Sequence, residues 1–320
     1  MKIHLPNSAF LGNIDPFIRG FDPSSPDRLE ISANDKWISV HPAAISMVAA
    51  LGLSVKPENI LRQKFEARSS HYFARMGLFK LLNIPTGIAI TEHESAGRFI
   101  PLTQIRASAE LTRFITEMIP LLHLEAEQAK TLGYIVSELV RNVLEHAEAP
   151  NGALLCAQYY KKSNAIRIGI ADTGVGIKAT ITRSHRADTD LDAIRLALMP
   201  GITGTTPMEG GTEQNAGAGL FFIKSIASVN RDFFVIYSGT GLYKLLKKSS
   251  ARRLRLHADP FEDRHAQDGA MPYWRGTVVG VDITLNQTEE FSRLLDAIRE
   301  TYGSAVRERR REKYRRPRFS

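Results

Sequence analysis

The sequence is poor in cysteine and in long apolar runs. Its one cysteine, Cys156, excludes a disulfide within the chain. Cys156 lies in the apolar run 153–157, which predicts a buried position in a strand. No window of about 18 uninterrupted apolar residues occurs, so we predict no transmembrane helix. Residues 1–6 also lack the apolar segment of a signal peptide. These absences favour a cytoplasmic protein.

The positive charge is concentrated near the end of the chain. The net charge is +8, of which residues 307–318 carry +6, because eight basic residues there face only two glutamates. The basic residues are Arg307, Arg309, Arg310, Arg311, Lys313, Arg315, Arg316 and Arg318. We expect this tail to be disordered and the fold to survive its removal after Gly303. The tail either remains solvated or binds nucleic acid or an acidic partner surface.

A chain of 320 residues is long enough for about two domains. We predict a small α/β module in residues 1–100, a larger α/β domain in 101–286, and a C-terminal helix with the basic tail in 287–320. Apolar periodicity in the larger domain predicts helices at 124–147 and 190–199 and one from Gly219. Alternation predicts strands at 153–160, 165–171, 232–238, 242–246, 254–257 and 277–285. A helix is predicted at 291–302.

The N-terminal module is predicted to contain strands at 29–31 and 37–40, with Pro42 opening a helix that Gly52 caps. A second helix is predicted at 70–82, and another strand at 88–90. Residues 37–45 (WISVHPAAI) and 72–79 (YFARMGLF) resemble the STAS-like domains of bacterial regulators, which include anti-sigma-factor antagonists. Antagonists carry a phosphorylatable serine where this chain has Pro42, so the resemblance implies no phosphorylation switch there. Any other small α/β module fits the same pattern.

Three short segments of the larger domain are candidates for one shared functional site. They are residues 138–146 (ELVRNVLEH), 171–177 (ADTGVGI) and 215–220 (NAGAGL). In the first segment Glu138, Asn142 and His146 are four residues apart, which places them in one polar stripe on a helix. By itself such a stripe is usually solvent-facing.

The other two segments combine glycines with the ends of predicted elements. Asp172 ends an apolar strand, and Gly174 and Gly176 permit positive φ and close approach of a flat ligand. Gly217 and Gly219 precede a predicted helix, whose free backbone amides favour phosphate. Each signal is weak alone, whereas their order and structural context together are specific.

The combined pattern resembles the GHKL superfamily of ATP-binding domains, shared by DNA gyrase, sensor histidine kinases, MutL-type repair proteins and anti-sigma-factor serine kinases. The resemblance covers residues 105–285 and includes 276–281 (GTVVGV) as the last strand. It implies an α/β fold, a two-layer α/β sandwich of the Bergerat type, that binds ATP and Mg²⁺. Residues 101–286 would then be the ATP-binding domain.

The resemblance also implies a role for each site residue. Asn142 would ligate Mg²⁺, and Glu138 would serve as a general base or orient one. Asp172 would accept a hydrogen bond from the exocyclic amine of adenine, supported by Thr277. The remaining cofactor-binding residues are the glycines Gly174 and Gly176 along the base and ribose, Gly217, Gly219 and Leu220 at the lid over the phosphates, and His146, which either reaches phosphate or only packs.

Some features depart from the family pattern. Thr173 stands where many relatives have asparagine, and the lid segment 201–207 offers no lysine that can be assigned to phosphate. Residues 247–274 form a longer insertion than the minimal domain needs. Pro120 precedes His123, and the pattern of a phosphoacceptor helix is missing there, which argues against an autophosphorylating histidine kinase.

Three functions remain compatible with the sequence. The first is a bacterial regulatory switch that binds ATP and phosphorylates a protein hydroxyl, closest in style to the anti-sigma-factor serine kinases. The second is a nucleotide-dependent binding module without catalysis, and the third is a nucleic-acid-associated ATPase. The first two require a protein partner, either a regulator or a substrate.

Overall fold

A computed structural model of the chain describes residues 1–34, 38–62, 67–85, 99–204, 219–247, 256–285 and 291–315. The strands are β1 (Lys2–Leu5), β2 (Ser8–Ala9), β3 (Leu29–Ala33), β4 (Ser39–Val40), β5 (Ile60–Arg62), β6 (Phe99–Ile105), β7 (Ala153–Tyr160), β8 (Ala165–Ala171), β9 (Phe234–Gly239), β10 (Gly241–Leu245), β11 (His265–Asp268) and β12 (Trp274–Thr284). The α-helices are α1 (Asp15–Arg19), α2 (Pro42–Ser54), α3 (Ala67–Arg75), α4 (Leu78–Leu81), α5 (Ser108–Arg113), α6 (Ala126–Asn142), α7 (Gly176–Ile181), α8 (Asp190–Ala197), α9 (Gly219–Val229) and α10 (Phe291–Arg315).

Seven strands form one antiparallel sheet in the order β11-β10-β9-β12-β8-β7-β6. The predicted hairpin is present as β7 and β8, which pair from Leu154 opposite Ala171 to Tyr160 opposite Ala165. β12 lies between β8 and β9 and pairs with both. The closing strand of the domain therefore lies directly beside the strand that ends at Asp172, although about 100 residues separate them in the sequence.

The two faces of this sheet pack against different parts of the chain. Side chains alternate along β8, so Ile166, Ile168 and Ile170 point into the core formed with α6, α7, α8 and α9. The opposite face is covered by α2, which is buried from Pro42 to Gly52. A Cβ at Gly169 would lie 2.0 Å from the backbone nitrogen of Ala43, so only glycine allows this contact.

The α/β class predicted from the sequence is confirmed, and the N-terminal segment adds a layer on the second face of the sheet. It contains its own parallel sheet in the order β1-β3-β5. Its core is continuous with sheet residues of the larger domain such as Leu154, Val235 and Trp274. The division at residue 100 stays a prediction; in space it falls at β6, an edge strand of the large sheet.

Several predicted element bounds are wrong for identifiable reasons. Gly52 does not cap a helix, because α2 continues to Ser54. The single helix predicted at 70–82 is broken at Gly77, whose φ of +79° ends α3 and starts α4. The described part of 254–257 forms no strand, and the edge position is taken by β11. Trp37 and the strand predicted at 88–90 lie outside the described residues.

The expectation of a disordered tail is also wrong as far as residue 315. The helix predicted at 291–302 continues to Arg315 as α10. Ala305 and Val306 are buried on it, and Arg309 donates a hydrogen bond to the carbonyl oxygen of Pro200. The tail therefore begins as part of the folded domain. In the described ranges, no helix combines the length and the apolar character needed to cross a membrane.

Candidate functional site

A cavity of about 320 Å³ lies on the helical face of the large sheet, between α6, α7 and the start of α9. It is lined by eight of the ten predicted site residues, Glu138, Asn142, His146, Asp172, Gly176, Gly219, Leu220 and Thr277. Gly174 packs against Ala147, which lines the cavity, and Gly217 lies outside the described residues. The structure therefore brings together residues that are up to 139 positions apart in the sequence.

The helix α6 supplies the polar side of the cavity. Its apolar stripe, including Val136 and Val140, is buried against the sheet. The stripe of Glu138, Asn142 and His146 lies beside it and faces the cavity. After Asn142 the helix widens into one π-helical turn, Val143–Ala147, which carries His146. Such turns are frequent at functional sites because they redirect side chains.

Glu138 lies where α6 meets the start of α9. Burial raises the pKa of its carboxyl group, while the nearby Arg141 guanidinium opposes this shift. Its Oε2 would lie 2.3 Å from a Cβ at residue 219, so the carboxylate rests against Gly219 at the start of α9. A buried carboxylate with a raised pKa is a stronger base than an exposed one.

Asn142, the last residue of α6, contributes a second polar side chain to the cavity. Its Nδ2 is buried and has no hydrogen-bond partner among the residues that the structure describes. Leaving such a donor unpaired typically costs about 1–3 kcal/mol. An amide in this state fits a site that a ligand completes, with Oδ1 as a hard oxygen ligand for Mg²⁺ and Nδ2 as a donor to phosphate.

Asp172 forms the floor of the cavity at the end of β8. It is 1% exposed, and its Oδ1 accepts a hydrogen bond of 2.8 Å from the backbone N–H of Gly174. Burial raises the pKa of this carboxyl to about 7, against backbone hydrogen bonds from Gly174 and Thr277 that lower it. Asp172 lines the cavity, so its carboxylate lies beside the space that a ligand would occupy.

Glycine is required beside Asp172, because other parts of the backbone approach this turn closely. A Cβ at Gly174 would lie 2.0 Å from the carbonyl oxygen of Ala147, at the end of the π-helical turn. The backbone N–H of Val175 donates to the same carbonyl at 2.8 Å. Gly176 has a φ of +80°, which favours glycine. The turn after Asp172 is thus fixed against the π-helical turn Val143–Ala147.

Three residues that contact or support Asp172 were not predicted as site residues from the sequence, namely Gly276, Trp274 and Ser238. Gly276 has a φ of +106°, and a Cβ there would lie 2.2 Å from the carbonyl oxygen of Asp172. Trp274 donates its Nε1–H to that same oxygen at 3.1 Å. Ser238 donates to the carbonyl of Gly276 at 2.6 Å. The sequence offers one signal for Gly276, its place just before Thr277, and none for the other two.

The remaining walls suit a flat apolar ring. Apolar side chains from four elements line the cavity, namely Leu139, Val143, Ile170, Ile177, Ile181 and Val279. Tyr134, in the middle of α6, also lines the cavity, and burial together with the Glu138 charge raises the pKa of its hydroxyl. Among these, Ile170 and Val279 are neighbours across the β8–β12 pair. Such a wall holds an aromatic base by dispersion and exclusion of water.

The described start of the lid segment is held against α7. The carbonyl of Gly204 accepts from Ser184 at 2.9 Å, and the ring of His185 bonds to the carbonyl of Thr203 at 3.0 Å. Lys178 on α7 donates to the carbonyl of Asp188 at 2.8 Å rather than pointing at the cavity. Residues 205–218, which include Gly217, lie outside the described residues.

Comparison with known proteins identifies this region. Residues 101–231 match the family model of the histidine kinase-like ATPase domain. No curated protein matches the chain. The matched residues contain β6 to α9, with Glu138, Asn142 and Asp172 in the cavity. Residues 101–231 are therefore similar to a histidine kinase-like ATPase domain, as the order of the three motifs predicted.

Proposed function

We propose that the cavity binds ATP together with Mg²⁺ and that the protein is a nucleotide-dependent regulatory switch. The observation that carries this proposal is the buried carboxylate of Asp172, which lines the floor of a cavity with apolar walls. A carboxylate in that position accepts a hydrogen bond from the exocyclic amine of adenine. Guanine presents a carbonyl at the same place and would leave two acceptors facing each other.

The phosphates would lie between α6 and α9. Asn142 would hold Mg²⁺ through Oδ1, and the unpaired Nδ2 would donate to a phosphate oxygen. Bound Mg²⁺ neutralises phosphate charge and orients the terminal phosphoryl group. The backbone N–H groups at the start of α9 favour negative charge. Gly219 and Leu220 line the cavity there.

Glu138 supports a catalytic form of this switch. Its carboxylate faces the cavity one helical turn from Asn142, and burial raises its pKa. When ionised it can accept a proton from a water molecule or from the hydroxyl of a protein substrate as the phosphoryl group is transferred. The acceptor we propose is a protein serine or threonine, and the partner is a regulatory protein.

The second candidate is a switch without catalysis, in which ATP only orders the lid segment and changes a binding surface. The contact between Glu138 and Gly219 favours it, because a carboxylate that touches α9, the lid helix that follows the lid segment, can respond to bound phosphate without abstracting a proton. Both candidates share the ATP site. Transfer of ³²P from ATP to a co-purifying protein supports the kinase, and ATP binding without transfer to any partner leaves the switch.

The central test is a titration of the full chain with ATP in the presence of Mg²⁺. We expect saturable binding by the wild type and none by Asp172→Asn, since an amide presents donors to the adenine amine. Asp296→Asn, an exposed aspartate on α10, is the matched control and should bind like the wild type. Unchanged affinity in Asp172→Asn would remove the adenine assignment. Glu138→Ala should bind ATP and lose turnover, because a base acts mainly in the transition state.

A further inference from the structure

The backbone of Asp172 is held on both sides by the first residues of β12. Its carbonyl oxygen accepts the indole Nε1–H of Trp274 at 3.1 Å. Its N–H donates to the carbonyl of Thr277 at 2.9 Å. Trp274 is 1% exposed, so the hydrogen bond is shielded from water. The orientation of the Asp172 peptide, and with it the direction of the carboxylate, depends on these two contacts.

An irregularity in β12 makes both contacts available. The register of β12 against β9 shifts between Trp274 and Thr277. Gly276 lies in this bulge, and its carbonyl accepts from Ser238, whose hydroxyl oxygen in turn accepts from the backbone N–H of Ile177 at 3.0 Å. A bulge redirects the side chains on either side of it. Here Trp274 points to the core shared with the N-terminal module, while Thr277 lines the cavity.

The indole ring extends the contact to the N-terminal module. Its centroid is 5.7 Å from that of Phe21, which follows α1, and 6.2 Å from that of Tyr237 on β9. Phe21 is 4% exposed and belongs to the core of the N-terminal segment. One side chain therefore touches the module with its ring and the adenine floor with its N–H.

We propose that Trp274 is a positioning residue for adenine recognition and that the N-terminal module influences nucleotide selectivity through it. This inference rests on the proposed ATP site. Without the indole N–H, the Asp172 carbonyl would be buried without this donor, and its peptide could rotate. The carboxylate would then be misaligned for the adenine amine, whereas the phosphate contacts on α6 and α9 would be unaffected.

The test compares ATP with inosine triphosphate, which carries a carbonyl in place of the amine. Calorimetric titrations of Trp274→Phe should show ATP binding weakened about 3- to 10-fold, the usual range for one buried hydrogen bond. Inosine triphosphate binding should change less than about 2-fold, so selectivity falls. Equal weakening of both nucleotides, or of neither, overturns the proposal. Failure of the wild type to bind ATP would instead overturn the proposed function.

Tyr243→Phe is the matched control for general loss of stability. It also removes one buried donor to a carbonyl, that of Pro260 at 2.9 Å, but away from the cavity. Its ratio of ATP to inosine triphosphate affinity should equal that of the wild type. Phe21→Leu tests the module itself and should lower the ratio about 2-fold; an unchanged ratio overturns the role of the module.

A measurement on native Trp274 covers the case in which Trp274→Phe does not fold. The chain has two tryptophans, so Trp37→Phe leaves Trp274 as the only source of an indole N–H signal in the NMR spectrum. We expect this signal to shift on saturation with ATP and to shift less with inosine triphosphate. An identical signal in the free and ATP-saturated protein overturns the proposal.

Discussion

The carboxylate of Glu138 lies directly against Gly219, the first residue of α9, and no side chain separates the proposed base from the lid helix. A Cβ at residue 219 would lie 2.3 Å from Oε2 of Glu138. The proposed base and the first residue of α9 are therefore in direct contact. The position of Glu138 and the position of α9 should respond to the same ligand.

The first prediction follows from this contact. Gly219→Ala should leave the protein folded, because the group it meets is the end of a flexible side chain, which can move away. The displaced carboxylate should lower turnover about 10-fold or more, while ATP affinity changes less than about 3-fold, the pattern expected when a transition-state interaction is lost. Steady-state phosphoryl transfer and ATP titration give the two values.

Gly269→Ala is the control for this substitution, since a Cβ there meets nothing within 4 Å. It should match the wild type in both measurements. A Gly219→Ala protein with full turnover would show that Glu138 does not act from the position that the structure gives it.

The second prediction concerns the pH dependence of binding. Burial raises the pKa of Asp172 to about 7, and only the ionised carboxylate is purely an acceptor for the adenine amine. Affinity should therefore fall about 10-fold per pH unit below 7 and level off above it. Adenosine should be used as the ligand, because it has no phosphate that titrates in the same range. An affinity that is flat between pH 5.5 and 8 would contradict the assignment.

The Asp172 carboxyl should also make the free energy of unfolding depend on pH. Its pKa in the folded protein is raised above the unfolded value, so its contribution is fully present below about pH 4 and is lost as the pH rises through about 7. A shift of about three pKa units corresponds to at most about 4 kcal/mol. Urea unfolding of Asp172→Asn should lack this slope. The difference between the two proteins isolates Asp172 from other titrating groups.

The sequence predicted the parts of the site that depend on local spacing. Glu138, Asn142 and His146 share a stripe because four residues are close to one helical turn, and this holds in any helix. Asp172 could be placed at a strand end because the apolar run before it is short and regular. The hairpin of β7 and β8 was predictable for the same reason.

The missing parts depend on pairing between distant strands. Trp274 and Gly276 contact Asp172 because β12 inserts between β8 and β9, and no local pattern encodes that order. The helix α2 can cover this face of the sheet only because residue 169 is glycine. The sequence does not indicate this requirement, since it arises from the contact with Ala43 in the folded chain. The extent of α10 was not predicted, because the buried residues Ala305 and Val306 come directly before a highly charged run whose composition is typical of disorder.

The third prediction concerns the insertion 247–274 and the lid helix. Lys224 of α9 and Asp263 of the insertion form an ion pair of 2.7 Å, with both side chains 1% exposed. Lys224→Met should cost about 3–5 kcal/mol of unfolding free energy, because it leaves a buried carboxylate without its cation. The double variant with Asp263→Asn should recover most of this loss. Urea unfolding of both variants measures it, and additive losses would show that the two residues do not interact.

The fourth prediction compares truncation within α10 with truncation after Arg315. Truncation after Gly303 removes the buried side chains of Ala305 and Val306 and should lower stability by roughly 2–4 kcal/mol. Truncation after Arg315 should leave stability unchanged. Thermal unfolding distinguishes the two, and equal melting temperatures would mean that the end of α10 does not pack on the domain.

The last prediction tests whether exposed arginines of α10 bind nucleic acid, one of the alternatives that the sequence leaves open. Arg307 and Arg311 are exposed and one helical turn apart on α10, so they can meet the same polyanion. Binding of the full chain to DNA should be non-specific and should fall steeply with salt. The double variant Arg307→Gln, Arg311→Gln should reduce the slope of log affinity against log salt by about 2, because two phosphate contacts are lost. Its melting temperature should stay that of the wild type, since neither side chain is buried. A slope that does not change would place any DNA contact elsewhere, and the absence of binding at low salt would leave the basic face of α10 as a solvated surface.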